Sequence, residues 1–145
     1  MIDCIIWVVD DDPDDLSMIE QAFSECFFKV RTFNSNENYK LVPALLQTED
    51  SDLPQLILLD INMPIISGKQ ILADIKENPR LRHIPVTMFT TSNSRKEKLE
   101  CFDLGANCFL TKPSHYSSMV KICSALSTVF CTPDLQSRKS YLSTP

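Results

Sequence analysis

The chain predicts an α/β fold in which five parallel strands form one sheet with helices packed on both of its faces. Short apolar runs of strand length alternate five times with segments whose apolar residues recur at helical spacing. The run Leu56–Leu59 is apolar at every position, as in strands covered on both faces. The 145 residues suffice for one domain with a full core and fall short of two ordinary ones. With right-handed crossovers, such alternation produces a doubly wound parallel sheet.

The elements follow in order. Ile5–Val9 is a buried strand that runs into Asp10, Asp11 and Asp12. Pro13 suits the first position of a helix capped by Asp12, with Leu16, Ile19, Ala22, Phe23 and Cys26 on one face. Phe28–Phe33 is the second strand. Asn34, Ser35, Asn36 and Asn38 favour a loop, and Pro43 cannot sit deep in a helix, so only a short helix around Pro43–Gln47 is expected. Leu56–Leu59, the third strand, stops at Asp60. Ser67 begins a helix carrying Ile71, Leu72 and Ile75 that stops before Pro79. Pro85–Thr90 is the fourth strand, and a polar helix from Ser94 to Leu104 closes at Gly105. Cys108–Thr111 is the fifth strand. Ser114 can cap a last helix with Met119, Ile122, Cys123, Leu126 and Val129 on one face. Residues 1–130 form the domain, and 131–145, rich in Ser, Thr and Pro, form a loosely held tail.

Composition excludes several classes. A net charge of −5 and a pI of about 4.9 argue against nucleic-acid binding. No stretch reaches the roughly 18 apolar residues of a membrane span. The N-terminus lacks the basic-then-apolar pattern of a secretory signal, so a cytoplasmic protein is expected. The six cysteines form no C-x-x-C pair and the only histidines are His83 and His115, which argues against zinc. Cys4, Cys26, Cys108 and Cys123 fall at apolar positions and read as reduced core thiols. Asp14 and Asp15 read as solvated residues of a helix first turn.

Ligands of open parallel sheets bind beyond the carboxyl ends of the strands. Asp10, Asp60, Thr90 and Thr111–Lys112 all lie at such ends, so residues far apart in sequence converge on one crevice. Asp10 and Asp11 can hold Mg2+ beside Asp60, since this ion takes oxygen ligands and keeps several waters. The metal would screen the acidic cluster and neutralise a transferring phosphoryl group. Lys112 supplies a cation on the opposite side, and the Thr90 hydroxyl can donate to a phosphoryl oxygen. Without metal, crowding and burial should raise at least one carboxylate pKa.

These residues resemble the receiver domains of the two-component response regulator family. The resemblance lies in the acidic pair Asp10–Asp11, Asp60 with Asn62-Met63-Pro64 and Gly68 after it, Thr90, and Lys112 followed by Pro113, in register from about Ile5 to Phe130. It implies a flavodoxin-like sheet of order 2-1-3-4-5 with five helices. It implies that Asp60 accepts a phosphoryl group from a sensor histidine kinase or histidine phosphotransfer protein. Asp11 and Asp60 would then ligate Mg2+ directly, with the backbone carbonyl of Asn62, and Asp10 would act largely through water. Thr90 would turn inward on phosphorylation and let Phe109, a core aromatic in any case, swing toward the core. That motion would reshape the face built from the fourth helix, fifth strand and fifth helix, which is also the surface of a possible homodimer. The protein would not be an enzyme beyond its own phosphorylation and dephosphorylation. Leu81-Arg82-His83-Ile84-Pro85, Thr90-Thr91-Ser92 and Gly105-Ala106-Asn107 further resemble stand-alone receivers, including those paired with phytochrome-type kinases.

Some positions depart from the family pattern. Thr91 stands where a smaller residue is common, and Phe109 lacks the hydroxyl of the common tyrosine. Asn62 and Ser92 stand where receivers flank the attacking water, with no glutamate or glutamine at either place. Two other functions compete. A phosphohydrolase with an aspartyl-phosphate intermediate would want an acid where Asn62 stands. A flavin binder would want a neutral Ser/Thr/Gly loop where Asp10–Asp12 stand. The residues after Lys112 are too few for a DNA-binding output module, so output is expected through protein contact or onward phosphoryl transfer.

Overall fold

The structure, a computed structural model, describes residues 4–25, 29–34 and 36–131. Its elements are β1 (Ile5–Val9), α1 (Pro13–Ser24), β2 (Lys29–Phe33), a 3-10 turn (Asn38–Lys40) leading into α2 (Leu41–Gln47), β3 (Leu56–Leu59), α3 (Gly68–Glu77), β4 (Val86–Thr90), α4 (Arg95–Asp103), β5 (Cys108–Thr111) and α5 (Tyr116–Phe130). The five strands form one sheet in the order β2-β1-β3-β4-β5, and every pairing is parallel. The expected sheet order is therefore present.

Side chains alternate along each strand, so the sheet feeds two separate cores. Trp7, Val9, Ile57, Leu59, Val86 and Met88 pack with Leu41, Leu45, Ile71, Leu72, Ile75 and Cys101 under α2, α3 and α4. Ile6, Val8, Leu56, Leu58 and Phe89 pack with Leu16, Ile19, Phe23, Met119, Cys123 and Leu126 under α1 and α5. Each fully buried Leu or Ile stabilises the fold by roughly 1.5–3 kcal/mol, and the two layers hold the central strands rigid beneath their carboxyl ends.

Local sequence signals set most boundaries. The Asp12 carboxylate accepts from the Asp14 and Asp15 amides, as an N-cap should. Ser67 caps α3 through the Gln70 amide, and Ser94 caps α4 through the Glu97 amide. Gly105 ends α4 at φ +106, a conformation open to glycine. Pro43 is the third residue of α2, within the first turn, where its missing N–H costs no helical bond.

Four expectations need correction. The last helix starts at Tyr116 with His115 at its N-cap position and no side-chain cap bond. Ser114 is one residue too early, because the chain leaving Lys112 and Pro113 bends before it can enter the helix. Val129 is 57% exposed. The buried stripe of α5 runs through Met119, Cys123, Leu126 and Ser127, and Val129 falls on the flank of half-buried Ile122. β4 begins at Val86, one residue after Pro85, whose carbonyl still accepts from the Ile57 amide. Cys4 is not a free thiol: it forms a disulfide with Cys131, with Cα atoms 5.7 Å apart, joining the start of β1 to the end of α5. A pairing across 127 positions has no local signal. Cys123 stays a buried thiol and Cys108 a half-buried one. The readings for Cys26, Phe28 and the tail from 132 onward lie outside the described residues.

Candidate functional site

Parallel pairing continues one residue beyond three strands. The Asp10 amide donates to the Phe33 carbonyl at 3.2 Å, the Asp60 amide to Val9 at 3.0 Å and the Lys112 amide to Thr90 at 2.8 Å. Val9 is in register with Leu59, so Asp10 and Asp60 emerge side by side at the carboxyl edge. Each strand ends in a residue the core cannot take, and the sheet register turns these ends into one site.

Asp10 and Asp60 are buried, at 1% and 6% exposure. The Lys112 ammonium lies between carboxylates, 2.5 Å from Asp10 Oδ2, 2.9 Å from Asp15 Oδ2 and 3.4 Å from Asp60 Oδ2. Asp15 is thus a site residue that sequence reasoning left in solvent. Its signal was positional, one turn after the Asp12 cap on the side of α1 that meets the sheet edge. Asp11 stays exposed, yet carboxylate oxygens of Asp10, Asp11 and Asp60 lie within 4.8 Å of one another.

Backbone donors orient both buried carboxylates. The Ile61 amide donates to Asp60 Oδ1 at 2.8 Å and the Asp12 amide to Asp10 Oδ1 at 2.9 Å. Burial raises the pKa of Asp10 to about 6, against the lowering effect of Lys112 and the Asp12 amide. Burial also raises that of Asp60; Lys112 and the Thr90 hydroxyl pull it down, and a bond to the Asp11 carboxyl pushes it up. Burial disfavours the Lys112 charge, but Asp10, Asp15 and Asp60 outweigh it and hold the ammonium protonated.

The loop after β3 is held from two sides. A β-carbon on Gly68 would stand 1.9 Å from the Asp60 carbonyl oxygen, so only glycine lets α3 start this close to the site. Buried Asn38 donates from Nδ2 to the carbonyls of Pro64 and Ile66, both at 2.8 Å, and between them Ile65 takes φ 70. Asn38, read from sequence as a loop former, is a positioning residue for the loop that follows Asp60.

Of the other expected site residues, Thr90 is buried beside Asp60, its Oγ1 accepting from the Ser92 amide at 3.3 Å. Phe109 is half-buried against the α2–α4 core rather than enclosed in it, because β5 is an edge strand. Asn62 is exposed and lines a neighbouring cleft of about 430 Å³ with Lys69, Ser92, Lys96, Glu97 and Glu100.

The site suits a hard divalent cation and a phosphoryl group: three carboxylates close enough to share one ion, and a lysine beside a hydroxyl. Fold and site together define an α/β domain with an acidic phosphoryl-handling centre at its sheet edge. Residues 6–124 match the family model described as response regulator receiver domain, and the chain belongs to that family, whose members signal through phosphorylation of an aspartate. Response regulator Rcp1 of Synechocystis is 42% identical over 74 residues, 51% of this chain and 50% of that protein. Response regulator PleD of Caulobacter vibrioides is 33% identical over 108 residues, 74% of this chain. The chain spans about half the length of Rcp1 and 22% of PleD. Among solved structures, the phosphorylated cyanobacterial phytochrome response regulator RcpA superposes with a TM-score of 0.79 at 28% identity, covering 88% of this chain and 94% of that one. The Mn(2+)-bound form of Rcp1 superposes with a TM-score of 0.74 at 27% identity, over 90% and 96% of the two chains. Among the described residues no helix is long and apolar enough to cross a membrane.

Proposed function

We propose that this chain is a phosphorylation-operated switch with Asp60 as phosphoacceptor. The observation that carries the reading is the convergence of Asp10, Asp15 and Asp60 on the Lys112 ammonium at the sheet edge. A carboxylate oxygen of Asp60 attacks phosphorus, the bond to the donor imidazole breaks, and its electron pair leaves with the imidazole. Lys112 meets the charge of the arriving phosphoryl oxygens, and the Thr90 hydroxyl, already bonded to Asp60, transfers its bond to one of them. Asp10, Asp11 and Asp60, with the backbone carbonyl of Asn62, hold Mg2+; the carboxylate oxygens within 4.8 Å of one another fit that ion. When bound, the ion neutralises charge on the phosphoryl group.

The likeness to RcpA and Rcp1 supports a histidine kinase of the phytochrome type, or a histidine phosphotransfer protein, as phosphoryl donor. Phe109, half-buried on an edge strand, is placed to move when Thr90 changes partners, and the face of α4, β5 and α5 carries the signal to a protein target or a second copy. Residues 1–130 act as the receiver and the stretch from 131, tied to the domain at Cys131 through Cys4, as a tail, in the cytoplasm, with no catalysis beyond the domain's own phosphorylation and dephosphorylation. Incubation with acetyl phosphate and Mg2+ followed by intact mass tests this. Wild type should gain one phosphoryl group and Asp60→Asn none; a wild-type mass that never shifts overturns the reading.

A further inference from the structure

The Cys4–Cys131 disulfide ties the start of the first strand to the end of the last helix, at the edge of the sheet opposite the phosphoacceptor. Cys4 and Asp10 stand at either end of β1, roughly 20 Å apart at 3.3 Å per residue. Cys131 closes the last turn of α5, its amide donating to the Ser127 carbonyl at 2.9 Å. Both cysteines lie in the core under α1 and α5, with Phe23, Met119, Cys123 and Leu126. That core and its counterpart on the other face of the sheet bury their Leu and Ile side chains deeply, so a domain of this size needs no covalent staple to fold. The same apolar setting suits two thiols as well as it suits their disulfide.

The helix itself holds this end weakly. Ser127, Thr128, Val129 and Phe130 are all poorer helix formers than Ala or Leu. Ser127 Oγ donates to the carbonyls of Cys123 at 2.7 Å and Ser124 at 2.9 Å, and Thr128 Oγ1 donates to the Ser124 carbonyl at 3.0 Å. Such bonds compete with the backbone amides of the turn. Val129 is exposed and adds little burial. Opening of this one turn therefore costs far less than global unfolding. It uncovers Cys131, already the more exposed of the pair at 8% against 0% for Cys4. Cys131 Sγ is the sulfur that an external thiol reaches.

We propose that Cys4 and Cys131 form a reversible thiol–disulfide exchange site, a second input that reads the surrounding thiol–disulfide balance and sets how firmly the end of α5 is held to β1. This input is independent of Asp60. In the cytoplasm proposed above, thiols are kept reduced and a disulfide is a transient, responsive bond. On reduction, an external thiolate bonds to Cys131 Sγ, the bond between the two cysteines breaks, and Cys4 leaves with the electron pair and takes a proton. A second external thiolate then attacks the external sulfur of the mixed disulfide and releases Cys131, which takes the second proton. The two external thiols end as their own disulfide, having given up two electrons. Closure is the reverse, with a low-molecular-weight disulfide such as glutathione disulfide as oxidant. The bond spans 127 positions, so making or breaking it changes the freedom of nearly the whole unfolded chain.

The test cycles the whole chain between dithiothreitol and glutathione disulfide under native conditions. After each treatment the remaining thiols are alkylated in denaturant and counted by intact mass, and the cross-link is located by peptide mapping. Glutathione disulfide should remove two thiols as a Cys4–Cys131 cross-link, and dithiothreitol should restore both in the folded protein within about minutes to hours. Reduction should lower the melting temperature by about 6–15 °C and speed hydrogen exchange at the Cys131 amide. Cys131→Ser should melt like reduced wild type under both reagents. A folded protein that forms no Cys4–Cys131 cross-link overturns the proposal, as does a cross-link that yields to dithiothreitol only in denaturant. Equal melting temperatures for the two states overturn it as well. If Cys131→Ser does not fold, the wild-type cycle alone decides between these outcomes.

Discussion

The Lys112 ammonium stands 3.4 Å from Asp60 Oδ2, farther than from either of its other two carboxylates, Asp10 at 2.5 Å and Asp15 at 2.9 Å. Lys112 is held mainly by neighbours of the phosphoacceptor, and its longer pair with Asp60 leaves that carboxylate less tightly neutralised than Asp10. The cation is preorganised where a phosphoryl group arrives, without being consumed by the nucleophile.

Removing either side of this cluster should have unequal cost. Lys112→Ala leaves buried Asp10 and Asp60 without a countercharge and should destabilise the metal-free protein by about 3–5 kcal/mol near neutral pH. Asp15→Asn removes a partner whose side chain is 25% exposed; it should cost about 1 kcal/mol or less, since solvent screens such a group. Urea unfolding midpoints in metal-free buffer measure both, and equal losses for the two variants would contradict the geometry.

Asp10 makes the metal-free fold sensitive to pH. Its pKa, pushed up to about 6 by burial, lies above its ordinary value of 3.8. Between those values the folded state binds more protons than the unfolded one, so stability falls as pH rises through this window. Melting temperature without metal should be higher near pH 5 than near pH 7. Added Mg2+ should raise it more at the higher pH, where the carboxylates are free to bind. Asp10→Asn should flatten the metal-free profile; a wild-type profile that instead rises toward neutral pH contradicts this account.

Gly68 tests the packing behind the site. A methyl group there would overlap the Asp60 carbonyl oxygen at 1.9 Å, a collision with backbone that no side-chain rotation relieves. Gly68→Ala should cost about 1–3 kcal/mol as an overpacking substitution and slow phosphorylation by acetyl phosphate by displacing Asp60. Wild-type phosphorylation kinetics in this variant would show that the start of α3 yields without moving the site.

Much of this was legible in the chain because the signals are local. An apolar run that stops at a carboxylate, as at Leu59–Asp60, marks a strand and its functional end together. Asp12, Ser67, Ser94 and Gly105 announce their helix boundaries by side-chain chemistry or backbone freedom. Ser114 misled because capping chemistry is present but the chain needs one more residue to turn. Cys4 misled because an apolar setting is shared by a core thiol and by half of a disulfide. Asn38 reads as a loop former, and only its distance from Pro64 and Ile66 shows what it holds.

The sequence alone determined the alternation that makes a parallel sheet, and with it the common edge to which Asp10, Asp60, Thr90 and Lys112 are delivered. Periodicity and strand ends depend on neighbours in the chain, so the chain carries them. The tertiary structure alone decided that Lys112 takes Asp15 as well as Asp10 and that Cys4 meets Cys131. Lys112 and Asp15 are 97 positions apart, and their contact depends on how α1 settles on the sheet, a matter of packing that no local pattern encodes.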